Sequence, residues 1–341
     1  RYHFLQPDEE SAGTYRLHPL FRRFLRLHNA RTFSGPALLA LRQEAADLLR
    51  RAGEVTEAVE LLRLAGAWEA LAELIRCEAP TLVREGRYRE LEEWITALPG
   101  RFREGDPWLL LWLGMSRAPS GPGPALAQLA TAYRRFREED DPAGAYTAWA
   151  EIANAHAFYS GDLRPLDHWL EELAGLEADY PWMPDPELDL RVATAAFIAH
   201  TWHRPDPERV TAWEERILGH VHAAPLEGAA LMGAIQIGIF HATIGRLDRA
   251  ATVRDLIRQR AGRGELPVFL RLSAELLEAI LAQYEPDAAG WARLAEEGAE
   301  AAREAGIPGL VPSFLALAVY ARLNRNDTAG ARDLLAAYAA L

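Results

Sequence analysis

The chain has 341 residues, half of them hydrophobic, and a formal charge of −12 at pH 7; all 37 of its strong cations are arginine and it has no lysine. Excess negative charge argues against direct nucleic-acid binding, because clustered positive charge supplies most non-specific affinity for a phosphate backbone. Without lysine these residues cannot form a G-x-x-x-x-G-K-[ST] phosphate loop or a Schiff-base site, and no apolar run reaches the roughly 18 residues of a membrane span. The arginines alternate with Glu and Asp at helical spacing, as in REGRYRELEEW, which suits a solvated face laced by i,i+4 ion pairs. The single cysteine, Cys77, excludes an internal disulfide and suits a cytoplasmic setting. The first residue is Arg1 rather than methionine, and the chain is read as a segment of a longer protein.

In chain order, RYHFLQ, the polar stretch PDEESAG and TYRLH predict a β-hairpin. PLFRRFLRLHNA then predicts a helix with Pro19 in its first turn. A lone hairpin is unstable, so residues 1–30 are read as the C-terminal part of a domain whose other elements lie upstream.

From about Pro36 the pattern is helical. ALLALRQEAADLLRRAG places Leu38, Leu41, Ala45, Leu48 and Leu49 on one face and ends at Gly53, and EVTEAVELLRLAG follows at once. LAELIRCEAPTLVREG pairs with RYRELEEWITALP, and TAWAEIANAHAFYSG with DLRPLDHWLEELAGL. GAIQIGIFHATIG pairs with RLDRAATVRDLIRQR, and LALAVYARLNRN with DTAGARDLLAAYAA. Turn residues fall near Gly53, Gly86, Gly123, Gly161, Pro205, Gly245, Pro286 and Asn326, at gaps of 33 to 44 residues. A near-constant period with a turn between two amphipathic helices is the signature of an α-solenoid. Residues 31–341 are therefore expected to form an all-α, tetratricopeptide-like superhelix of about eight helical hairpins. Ala58, Ala250 and Ala331, each five positions past its turn residue, would let the second helix approach the first. RAPSGPGPA (117–125) and ADYPWMPDPE (178–187) are read as inter-helix loops rather than domain boundaries.

Motifs for chemistry are few. His200 with His203, and His220 with His222, are spaced i,i+3 and i,i+2 without a third ligand in register, and there is no HExxH. No G-x-S-x-G or glycine-rich nucleotide loop is present, so the segment is expected not to be an enzyme. Aligning the turns brings the C-terminal ends of the first helices into one row: Phe158 and Tyr159, Trp202 and His203, Thr243, Gln283 and Tyr284, and Asn324. Glu151 precedes Phe158 on its helix by one to two turns. Aromatic rings beside hydrogen-bonding groups make a small-molecule or sugar-like surface when they line a groove; the same rings could instead pack between repeats.

The run Leu17-His18-Pro19-Leu20-Phe21 with Phe24-Leu25 resembles the end of the winged helix in STAND signal-transduction ATPases, in particular the MalT-like transcriptional regulators, which also carry a segment like YRELEEWITALP. The resemblance is loose over the whole chain and more specific over residues 14–100. It implies an ATP- or ADP-binding module and a DNA-binding effector outside this chain, with the present residues as sensor and oligomerisation region. It also implies that His18 contacts bound ADP in the parent protein. On that reading a small-molecule inducer or partner protein fills the groove and favours a self-associating form, without a membrane and without direct contact to nucleic acid. The alternative is a tetratricopeptide-type scaffold whose groove holds a peptide or partner protein.

Overall fold

The computed structural model of the chain describes residues 4–7, 15–160, 162–183, 185–203, 205–223, 228–260, 266–285, 288–305, 307 and 309–339. The chain divides into two compact units, Arg1–Cys77 with Ala97–Phe102, and Glu78–Thr96 with Arg103–Leu341. Among the described residues none of the helices is long and apolar enough to cross a membrane.

In the first unit, strands β1 (Leu5–Pro7) and β2 (Tyr15–Leu17) pair antiparallel with Leu5 opposite Leu17. The His18 N–H donates to the Phe4 carbonyl at 2.9 Å. The Phe4 ring lies 4.6 Å from Phe21 on helix α1 (Pro19–Thr32), which ties the strands to that helix. Helix α2 (Gly35–Arg51) starts at Ser34, whose hydroxyl accepts the Ala37 N–H, and Pro36 sits in its first turn, the usual economy of an N-cap followed by a residue with no N–H to satisfy. Gly53, at φ +86°, turns the chain into α3 (Val55–Ala65), which buries Ala58, Val59 and Leu62. One expectation is corrected here. Leu41 and Leu48 are 43% and 61% exposed, and the buried position of α2 is Ala46. Leucines occupy more than one side of this helix, so spacing alone does not fix which side meets α3.

Helix α4 (Trp68–Arg84) carries Pro80 in its interior, and α5 (Tyr88–Ala97) and the short α6 (Gly100–Gly105) follow. The second unit then continues with six helix pairs. Their first members are α7 (Pro107–Arg117), α9 (Pro142–Ala155), α11 (Pro186–Trp202), α13 (Gly228–Thr243), α15 (Val268–Ala282) and α17 (Val311–Asn324). Each is followed by its partner: α8 (Pro122–Glu138), α10 (Leu166–Asp179), α12 (Pro207–Ala223), α14 (Leu247–Arg260), α16 (Ala288–Glu304) and α18 (Thr328–Ala339). The first members stack on one another in sequence, and each also packs against its own partner.

Side-chain pattern explains the two layers. α9, α11 and α13 are apolar nearly all round and bury side chains on every side, as a helix flanked by neighbours must. α12 is amphipathic and buries Val210, Trp213, Ile217 and Val221, spaced by three or four residues, so one stripe faces inward and the rest is solvated. Four helices begin at an Asp-Pro pair. Asp106, Asp141, Asp185 and Asp206 each accept first-turn N–H groups, at 2.9 to 3.3 Å. Ala58, Ala250 and Ala331 are all buried on the second helices of their pairs, α3, α14 and α18.

The turn residues hold with exceptions. Gly53, Gly86, Gly245 and Asn326 are left-handed, and Pro205 lies between α11 and α12. Gly123, expected at a turn, lies inside α8; the left-handed residue of that pair's far end is Asp140, at φ 56°. Proline at 122 starts the helix one residue earlier than the glycine would suggest. Gly161 and Pro286 lie outside the described residues.

The second unit curls. Helix α9 runs into a π-turn, His156–Ser160, whose Phe158 ring meets Phe269 of α15 edge-on at 5.7 Å. Neighbouring helices pack about 8–10 Å apart, so the three steps from α9 to α15 would separate them by roughly 24–30 Å in a straight stack. The backbone at Gly309, before α17, also lies against the Phe158 carbonyl so closely that a Cβ there would overlap it. Contacts over this reach place the π-turn on the inner side of the curl.

Candidate functional site: a recess at Glu151

Four polar side chains of the second unit gather beside the π-turn. Glu151 comes from the last turns of α9, Tyr159 from the π-turn, Arg191 from α11 and Tyr88 from the start of α5. All four are half-buried. Burial pushes the Glu151 carboxyl above the ordinary carboxylate range, offset in part by Arg191. The Tyr88 and Tyr159 phenols are likewise raised, first by burial; Glu151 adds to the shift in both, and Tyr88 also acts on Tyr159. The Glu151 side chain keeps some access to solvent even though burial raises its carboxyl. Among the described residues no hydrogen bond or ion pair reaches Glu151, whereas Arg191 has its own partner, Glu187, one turn away at 3.9 Å.

The π-turn itself is held locally. The Ser160 hydroxyl lies 3.2 Å from the carbonyls of His156 and Asp162 and accepts the Asp162 N–H. His156 Nδ1 lies 3.2 Å from the Asp162 carbonyl, so Nδ1 carries the proton, since a carbonyl only accepts. Burial lowers the His156 pKa and keeps the ring neutral. Arg164 clamps Asp162 with two bonds at 2.9 Å, and the Asp162 carboxyl falls to about 2. A π-turn inside a helix is uncommon and recurs at functional sites.

The residues singled out by sequence separate into groups. Glu151 and Tyr159 come together. Phe158 packs on Phe269. Trp202 is 47% exposed at the end of α11, and His203 pairs with Asp167 of α10 at 3.2 Å. The Thr243 hydroxyl donates back to Ile239 of its own helix, and the Gln283 amide donates to Ile280. Tyr284 and Asn324 are exposed. Among the described residues no hydrogen bond, ion pair or ring contact joins Trp202, Thr243, Gln283, Tyr284 and Asn324 to one another or to the recess. His18, in the first unit, accepts the Leu20 N–H on Nδ1 at 3.3 Å, as a cap on α1. The histidines at 200, 203, 220 and 222 do not converge; His220 instead joins Arg216 on Asp189.

Tyr88 and Arg191 escaped the sequence reading. Glu151 is the sole charged residue of α9, and a lone charge in an otherwise apolar helix is a signal; Arg191 shares α11 with Glu187 and Asp189 and gives no comparable one. Tyr88 gave no such signal, because it sits in a charge-rich segment that reads as solvated.

The raised Glu151 carboxyl has a consequence for stability. The folded chain holds that proton to higher pH than the unfolded chain does. The contribution of Glu151 to stability is therefore complete below the unfolded pKa and is lost as pH rises through the folded one. Glu151→Gln is expected to match or exceed the wild type in urea unfolding near neutral pH, with the difference vanishing by about pH 4. An equal loss at both pH values would mean that neighbouring groups hold the carboxylate in place.

The stacked helix pairs define a tetratricopeptide-like helical array. No family model matches the chain, and no curated protein matches it in sequence. Among solved structures it is similar to the apo form of the quorum sensor NprR from B. thuringiensis, with a TM-score of 0.62 and 10% identity, over 94% of this chain and 91% of that one. At that identity the likeness is one of fold.

Proposed function

We propose that this chain is the ligand-reading array of a signalling protein, non-catalytic in itself, and that a peptide or partner protein lies in the recess walled by α9, its π-turn and α11. The observation that carries the reading is Glu151, a half-buried carboxyl of the apolar helix α9 without a protein partner among the described residues. Buried polar groups ordinarily find partners, so an open one on the inner side of a curl suits an absent ligand. The fold shared with a quorum sensor supports a sensing role.

The second reading keeps the same array and assigns it a small-molecule inducer reported to a nucleotide-binding module and a DNA-binding effector elsewhere. The Leu17–Phe21 run favours it, with the MalT-like regulators as the parent class. In both, the ligand acts by stabilising one of two states of the whole protein.

A random-sequence peptide display selected on the purified chain, followed by hydrogen exchange, tests the first reading. Enriched peptides are expected to slow exchange in residues 146–160 and 186–203. Failure to enrich any sequence, or protection confined to α12, α14 and α16, would overturn it.

A further inference from the structure

One stretch of the chain reverses its overall charge. Residues 11–43 hold six arginines, Arg16, Arg22, Arg23, Arg26, Arg31 and Arg42, and no Asp or Glu; since the whole chain carries −12, the other residues together carry −18. Helix α1 lies inside this stretch. A run of like charge is usually a solvated face, but α1 also leaves apolar side chains in water. Leu20 is 71% and Phe24 58% exposed, and with the exposed His28 they recur at every fourth residue, on one face of the helix. Phe24 stacks on His28 at 5.8 Å and on Phe21 at 6.2 Å, and Phe21 in turn meets Phe4, itself exposed. Among the described residues no hydrogen bond, ion pair or ring from α2 onward reaches Leu20, Phe24 or His28.

We propose that the Leu20–Phe24–His28 face of α1 docks on a partner protein, against an acidic amphipathic helix whose apolar side covers Leu20 and Phe24 and whose carboxylates answer the positive charge of residues 11–43. The inference concerns the first unit and stands apart from the reading of Glu151. Exposed apolar side chains rimmed by charge mark an interaction surface, and the sign of the rim selects its partner, drawing the opposite charge and rejecting the like one. A partner helix as long as α1 spans roughly 20 Å and ends where the positive charge ends. A nucleic acid would instead carry its phosphates past α1 into the field of residues that are net negative. Leu20 also has no flat face for a base to stack on, and it suits an aliphatic side chain.

The probe is an end-capped peptide of three LEELAQE heptads, titrated by fluorescence anisotropy with the full chain, beside a charge-reversed peptide of three LKKLAQK heptads. The acidic peptide is expected to bind and the basic one not, with affinity falling as salt is raised. Leu20→Ser combined with Phe24→Ser should weaken binding at least about tenfold, as loss of the apolar centre of an interface does. Arg23→Glu, a single change of charge at the exposed rim, should weaken it severalfold and reduce its salt dependence. These side chains are exposed, so the variants should keep the wild-type melting temperature, and a thermal melt checks that they do. Leu294→Ser, at an exposed leucine of α16 in the second unit, should leave binding unchanged. Equal binding of the two peptides, no binding of the acidic one at millimolar concentration, or binding that survives the Leu20 and Phe24 changes would overturn the proposal. Tighter binding of oligothymidylate or of phosphatidylserine vesicles than of the acidic peptide, lost in the same variants, would overturn it in favour of a nucleic acid or a membrane.

Discussion

Trp149→Ala is expected to destabilise the protein by about 3–5 kcal/mol, the range for removing a large aromatic side chain from a filled interior. Trp149 is fully buried in α9, and its indole N–H donates to the Trp169 carbonyl at 2.5 Å. Truncation therefore opens a cavity and leaves that carbonyl without its side-chain donor, a further loss of about 1 kcal/mol. Trp202→Ala is the matched control. Its ring is 47% exposed at the end of α11, and surface changes of this kind usually stay within about 0.5 kcal/mol. Urea unfolding of the two variants should differ widely in midpoint. Comparable losses would mean that Trp202 is held by packing that its exposure does not reveal.

The second large effect concerns a close approach of helices. A side chain on Gly144, in the first turn of α9, would overlap the Phe136 ring of α8. That ring is fully buried and meets Trp108 edge-on at 5.0 Å, so it has nowhere to retreat. Gly144→Val is expected to cost about 1–3 kcal/mol, as overpacking does. Gly219 is the opposite case, an exposed glycine within α12 with no atom within 4 Å of an added Cβ. Gly219→Ala should stabilise the protein by up to about 1 kcal/mol through helix propensity alone. Thermal melts of the pair should shift in opposite directions; a stabilised Gly144→Val would refute the packing described for α8 and α9.

Much of this architecture was legible in residues close to one another along the chain. Asp-Pro pairs mark helix starts because the carboxylate caps the first N–H groups and proline has none to cap. The repeat of turn residues announced the helix pairs, and the small residues after them announced close crossings. What depended on distant contacts was not legible. The rotation of α2 is set by its neighbour, and its scattered leucines allow more than one answer. HAFYS reads as an ordinary continuation of α9, and only contact with Phe269 and Gly309, more than a hundred residues later, shows where the π-turn sits. Glu151 and Tyr159 were found because they share one helix end. Tyr88 and Arg191 reach the same recess from other pairs, and no local spacing connects them.

The meeting of Phe158 with Phe269 and Gly309 changes the mechanics of the array. Repeat proteins whose units touch only adjacent units behave as springs, stretching or losing end units at little expense to the rest. Here the contacts of Phe158 with Phe269 and Gly309 clasp coils that lie far apart along the spring. Extension of the second unit must break that clasp before the coils between can open, and the clasp sits on the turn that also carries Tyr159. Tension along the second unit would therefore be felt first at the five residues of the π-turn.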